Sequence, residues 1–153
     1  MPVLSFDLEH DGRPIVDLYV SVSRAELEVC REEGRPITPS IAVRALIDTG
    51  TGRSHVDLGV LTRLSIAPVA TGIVYTVSGS GPEPRNVYVV DLALAGERPG
   101  PIASDLPIFG SAIADDLRVG MLLGRDILGA CVLSYDGIDR RFTLAYNPPP
   151  RGR

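Results

Sequence analysis

One carboxylate closes an apolar run. Ile41, Ala42 and Val43, then Ala45, Leu46 and Ile47, drive the chain toward an interior, and Asp48 follows at once with Thr49-Gly50-Thr51-Gly52 behind it. A short apolar run ending in turn residues reads as a buried strand. Asp48 is therefore expected where a strand leaves the core and turns. A carboxylate in such a place is costly unless it is hydrogen-bonded or shares its site with another charge. The simplest account is an ordinary strand exit, because Asp and Gly are common turn residues. The alternative is a loop that does chemistry.

Two functional loops fit the pattern, and length weighs on both. In a phosphate loop of the actin and sugar-kinase type, Asp-x-Gly-Thr holds a metal-bound nucleotide between two large lobes. In an acid-protease loop the aspartate activates water, while Thr49 and Gly50 supply the hydroxyl and backbone donors that fix it. A chain of 153 residues with 44% hydrophobic content has room for one domain with a real core. That excludes the two-lobed kinase, and also a two-lobed protease with one acid per lobe.

Composition narrows the class further. Thirteen prolines, sixteen glycines and many short Val and Ile runs indicate a mainly β domain. A net charge of −4 leaves no electrostatic footprint for nucleic acid, and no stretch approaches the roughly 20 apolar residues of a membrane span. Met1 to Asp7 lacks the basic region and long apolar core of a secretory signal, so a cytoplasmic protein is expected. Cys30 and Cys131 make neither a disulfide framework nor a zinc site, and free thiols fit a reducing compartment. With only His10 and His55 present, no metal and no cofactor are expected.

Along the chain, Val3–Leu8 and Ile15–Val22 flank Asp11-Gly12, which predicts a β-hairpin. Ser23-Arg24-Ala25-Glu26 has the pattern of a capping box and opens a helix of about ten residues, stopped by Gly34 and Pro36. Val60, Leu61 and Leu64 have helical spacing, with Asp57 as cap. Ile73–Val77 and Val87–Leu94 form a long hairpin around the polar tip Ser78-Gly79-Ser80-Gly81-Pro82-Glu83-Pro84, either an exposed turn or a cover over a cleft. Glu97–Pro101 reads as a loop, Leu106–Phe109 as a strand and Asp115-Asp116 as a solvated turn. Val119–Leu128 predicts a buried strand, a glycine turn and a short helix. Val132–Tyr135 and Phe142–Tyr146 pair across Asp136-Gly137. One domain over 1–146 is expected, with an inserted helix and loop at 23–40, a hairpin at 73–94 and a disordered proline-rich tail at 147–153.

The second motif is Leu122-Leu123-Gly124-Arg125-Asp126-Ile127-Leu128. Placed downstream of Leu46-Ile47-Asp48-Thr49-Gly50 with a glycine-tipped hairpin between, it makes the chain resemble retropepsin-like aspartic proteases over residues 3 to 146. It looks most like their single-domain bacterial relatives. The resemblance implies a closed acid-protease β-barrel with one or two short helices, two protomers forming one active site. It implies Asp48 as the catalytic acid, Thr49 bonding across to the partner's loop, and Gly50 admitting substrate backbone. Leu122, Leu123 and Gly124 would frame the loop, Arg125 would brace it, and Ser78, Gly79, Ser80 and Gly81 would lie in the flap. Tyr75, on the strand before the tip, is the candidate for touching substrate.

The pattern also departs from the retroviral enzymes. They follow Asp-Thr-Gly with an Ala-Asp pair whose acid binds the arginine of the second motif. Gly52 stands there in this chain, so Arg125 needs another partner, with Asp57 and Asp126 the candidates. Thr51 replaces the alanine and is expected to donate its hydroxyl to Asp48, holding the lower pKa of the acid pair down. The Val22–Ile41 connection is longer, and the proline-rich end cannot join an interlocked terminal sheet.

Two functions from different classes remain. One is a homodimeric endopeptidase cutting peptide or protein substrates with two Asp48 carboxylates. The other is a dimeric peptide-binding or assembly module with the same fold and little or no turnover. Ser54, His55 and Asp57 contain triad ingredients, but sequence neighbours point apart and a triad is defined by geometry. His55 is expected in a loop or subsite, and Cys131 as a buried core thiol.

Overall fold

The computed structural model describes residues 1–76, 81–96 and 99–147. Expectations for Ser78, Gly79 and Ser80, and for the tail from 148 onward, lie outside the described residues. Among the described residues, ten strands and four helices follow in the order β1 (Val3–Asp7), β2 (Ile15–Val22), α1 (Arg24–Glu32), β3 (Ile41–Ile47), β4 (His55–Asp57), α2 (Leu58–Leu64), β5 (Ala70–Tyr75), β6 (Pro82–Leu94), β7 (Gly100–Ser111), α3 (Ala114–Leu117), β8 (Met121–Leu123), α4 (Arg125–Leu128), β9 (Cys131–Asp136) and β10 (Arg141–Tyr146).

The larger sheet has the order β2-β3-β8-β4-β7-β6-β5, and β2 pairs with β6 as well as β3. That extra ladder, Leu18 opposite Leu94 through Val22 opposite Val90, joins the ends of six strands into a closed barrel. β5 hangs beyond β6 as the outer arm of a hairpin. Alternation fills the barrel: on β3, Ile41, Val43, Ala45 and Ile47 are buried while Ala42 and Arg44 are exposed. Leu18, Val20, Val90, Ile108, Met121 and Leu123 are fully enclosed, each such side chain contributing about 1.5–3 kcal/mol by burial. A second sheet, β1-β10-β9, covers one end, with Phe6 stacked on Phe142 at 5.0 Å and Phe142 packed into the main core.

The structure corrects several sequence expectations. The turn at Asp11-Gly12 forms, with the Gly12 amide donating to the Glu9 carbonyl at 2.8 Å and Gly12 at φ +86°. The hairpin does not, because both edges of β2 are taken by β3 and β6, and β1 pairs with β10 instead. Pro82, Glu83 and Pro84 belong to β6 rather than to a tip, opposite Tyr75, Val74 and Ile73. β7 begins at Gly100, well before Leu106. Asp115-Asp116 lies in a single helical turn, α3, not a plain turn.

The helix signals were sound. Ser23 caps α1, its hydroxyl accepting from the Glu26 amide at 3.2 Å. Asp57 caps α2, accepting from the Gly59 amide at 2.9 Å. Cys30 is a free, buried thiol, whereas Cys131 is only half-buried and donates to the Ile127 carbonyl.

Candidate active site

β3 delivers Asp48 to its place, and β8 holds the strand there. Ile47 lies parallel and opposite Leu123, and one step on the Asp48 amide donates to the Leu123 carbonyl at 3.0 Å. The chain then turns back on itself. The Gly50 amide donates to Asp48 Oδ1 at 2.9 Å, and the Thr51 amide reaches the Asp48 carbonyl at 3.3 Å. Asp48 is half-buried while Thr49 and Gly50 are exposed, so the acid faces outward from a rigid base.

The second motif braces this loop from behind. The first amides of α4 have no partners within the helix, and those of Arg125 and Asp126 donate to the carbonyls of Thr51 and Gly52 at 2.9 and 3.0 Å. Arg125 Nη1 donates to the Thr49 carbonyl at 2.8 Å. Its partner is thus a backbone oxygen, not Asp57 or Asp126. Gly124 sits where a side chain cannot: a β-carbon there would lie 2.8 Å from Thr51 Cγ2 and 3.0 Å from the Thr51 carbonyl oxygen. Leu123 is buried and Leu122 half-buried.

Thr51 does not serve Asp48 as expected. Its hydroxyl donates to the Arg53 carbonyl at 3.2 Å, and a hydroxyl has one proton to give. Asp48 therefore receives the Gly50 amide and not the Thr51 side chain.

Ser54 and Asp126 form a support that sequence reading missed. The Ser54 hydroxyl donates to Asp126 Oδ1 at 2.7 Å and accepts from the Gly124 amide at 3.0 Å, while the Ser54 amide donates to Asp126 Oδ2 at 2.8 Å. One serine thus ties the end of the Asp48 loop to the Gly124 turn. The signal was present in the triad-like Ser54-His55-Asp57, but the serine's real partner lies 72 residues away.

Between the β5–β6 hairpin and the barrel opens a cleft of about 350 Å³, near enough to the loop for the Asp48 charge to act on its His55. Val74, Thr76 and Arg85 form its roof, and His55, Ser111 and Leu122 its floor. His55 is a buried strand residue at the cleft, not a loop residue, and its Nδ1 lies 2.8 Å from Ser111 Oγ. Burial lowers the His55 pKa from its ordinary 6.5, and the Arg85 charge lowers it further against the pull of Asp48 and Asp126. Ser54 and Asp57 do not approach His55 as a triad; Asp57 instead accepts amides at the starts of α2 and α3. Tyr75 is 80% exposed and, by strand alternation, faces away from the cleft that Val74 and Thr76 line. A larger cavity of about 520 Å³ opens between β1, β2 and the end of β6; residues 48–52 line neither it nor the cleft. Among the described residues no three His, Cys, Asp or Glu side chains group as metal ligands, and no helix is long and apolar enough to cross a membrane.

A six-strand closed barrel of this topology, with short helices, defines a retropepsin-like fold. Among solved structures, that of a retropepsin-like aspartic protease from Rickettsia conorii matches with a TM-score of 0.55, covering 97% of this chain and 94% of that one at 11% sequence identity. At that identity the likeness is one of fold. No protein-family model matches the sequence, and no curated protein matches it.

Proposed function

We propose that the chain is one half of an aspartic endopeptidase, with its active site formed by two Asp48 carboxylates on the two-fold axis of a homodimer. The observation that carries this is Asp48 itself: an outward-facing acid, oriented by the Gly50 amide and backed by the Leu123 carbonyl, beside a cleft roofed by a hairpin. The fold likeness supports the same reading.

One carboxylate cannot both activate a water and donate a proton. Two acids about 3 Å apart cannot both ionise, so they share a proton and split their pKa values. The ionised member takes a proton from water, whose oxygen attacks the peptide carbonyl carbon, while the protonated member donates to the carbonyl oxygen. Collapse of the resulting adduct passes a proton to the leaving nitrogen. The chain supplies one such loop, so the second acid comes from a symmetric copy, the commonest closed assembly being a two-fold dimer. The titration then belongs to the pair. The expected setting is the cytoplasm, with peptide or protein as substrate and no cofactor.

Asp48→Asn tests the reading, because the amide keeps the shape and cannot ionise. Cleavage of a peptide mixture is expected to vanish while sedimentation still reports a dimer. Cleavage that survives the substitution places the catalyst elsewhere. A wild-type dimer that binds peptides without cutting any would make the protein a binding module.

A further inference from the structure

We propose that the cleft beside Asp48 is a subsite for a carboxylate side chain, glutamate or aspartate, with Arg85 and the His55–Ser111 pair as the groups that select it. The inference rests on the peptide-binding part of the function proposed above.

A neutral imidazole carries one N–H and a serine one O–H. His55 and Ser111 share a single hydrogen bond, which uses one of these two protons. If Ser111 donates to Nδ1, then Nε2–H is left over; if Nδ1–H donates to Ser111, the serine proton is left over. Either tautomer leaves one donor for a ligand. Burial and the nearby guanidinium keep the ring neutral, so the count holds near pH 7.

The roof supplies the second donor. Arg85 Nη2 is paired with Glu83 at 2.6 Å, and no other partner of the guanidinium occurs among the described residues. An arginine has five N–H donors, so a ligand carboxylate can add to the pair without breaking it. Glu83 stands opposite the cleft-lining Val74, on the same face of β6 as Arg85, and is the counter-charge that a ligand carboxylate shares with the guanidinium. Of the acids that act on His55, Asp126 is occupied by Ser54 and by the Ile127 amide, and Asp48 belongs to the reaction centre. Donors on two opposite walls suit the two oxygens of a carboxylate. Leu58, Val74, Ile113 and Leu122 supply apolar walls for its methylene stem.

The test is capture of a random octapeptide library on immobilised Asp48→Asn protein, read by sequencing the bound peptides. Asp or Glu is expected to be enriched at one position, on the order of tenfold over Asn or Gln, as a charge-assisted contact implies. Arg85→Gln in the same background is expected to erase that enrichment, Arg85→Lys to keep part of it, and Arg85→Glu to shift it toward Lys and Arg. Enrichment of basic side chains by the parent protein, enrichment of apolar ones alone, an acid preference unmoved by Arg85→Gln, or no capture at all would each overturn the proposal. Cleavage by the wild-type protein is scored separately. Acid-selective capture without any cleavage keeps the subsite and sinks the endopeptidase.

Discussion

Thr51 and His55 show how far a single atom's partner decides behaviour. A threonine directly after Asp-Thr-Gly invites a hydrogen bond to the Asp48 carboxylate, but the Thr51 proton goes to the Arg53 carbonyl. Thr51→Ala is accordingly expected to leave the acid limb of kcat/KM against pH where it was, at a stability cost of about 1 kcal/mol. A shifted limb would mean that the hydroxyl turns toward Asp48 in solution. His55 offers a pH test of the fold. Burial, then Arg85, lower its pKa below the ordinary 6.5, so the unfolded chain binds the proton more readily than the folded one. Its contribution to stability is complete above that ordinary value and is lost as pH falls through it toward the lowered folded value. Urea unfolding at about pH 7.5 and about pH 5 should show a larger loss for the wild type than for His55→Gln, the carboxylates contributing equally to both. Equal losses would show the imidazole to be reachable by water.

Asp57 links two helices that lie far apart in the chain. One oxygen accepts from the Gly59 amide at the start of α2, and the other from the amides of Ile113 and Ala114 at the start of α3. Asp57→Ala strands three donors and is expected to cost about 2–3 kcal/mol, more than an ordinary cap; Asp57→Asn, with one acceptor oxygen, should fall between. Urea midpoints of the three proteins check the order. The same residue marks the limit of what the sequence makes legible. A cap before Val60-Leu61-Leu64 can be read locally, but the helix that Asp57 starts 56 residues later cannot. Likewise β3, β8 and the β9–β10 hairpin follow from apolar runs and turn residues. The partner of β1 was decided by which edges β2 had left to offer. Asp48, Thr49, Gly50 and the Leu122–Arg125 stretch announced themselves as motifs, whereas Ser54–Asp126, Ser111 and Arg85 acquire meaning only once the barrel brings them together.

The assembly carries its own expectation. β10 lies between β1 and β9 within one chain, so a dimer interlocked through β10 would have to break existing ladders. An active site shared between copies held by other surfaces should lose specific activity on dilution while the barrel stays folded. Measuring turnover per mole across a dilution series, with circular dichroism alongside, checks this; activity proportional to protein at every concentration would place a whole site in one chain.

The position of β8 also bears on how such a protein is made. Met121–Leu123 sits between β3 and β4, parallel to the first and antiparallel to the second, yet both neighbours leave the ribosome long before it. At about 5–20 residues per second, a nascent chain spends several seconds with its aspartate already synthesised and the Leu123 carbonyl that anchors it still untranslated. Closing such a distant contact is also a slow folding step. The growing polypeptide thus carries the acid for seconds before the strand that aims it exists.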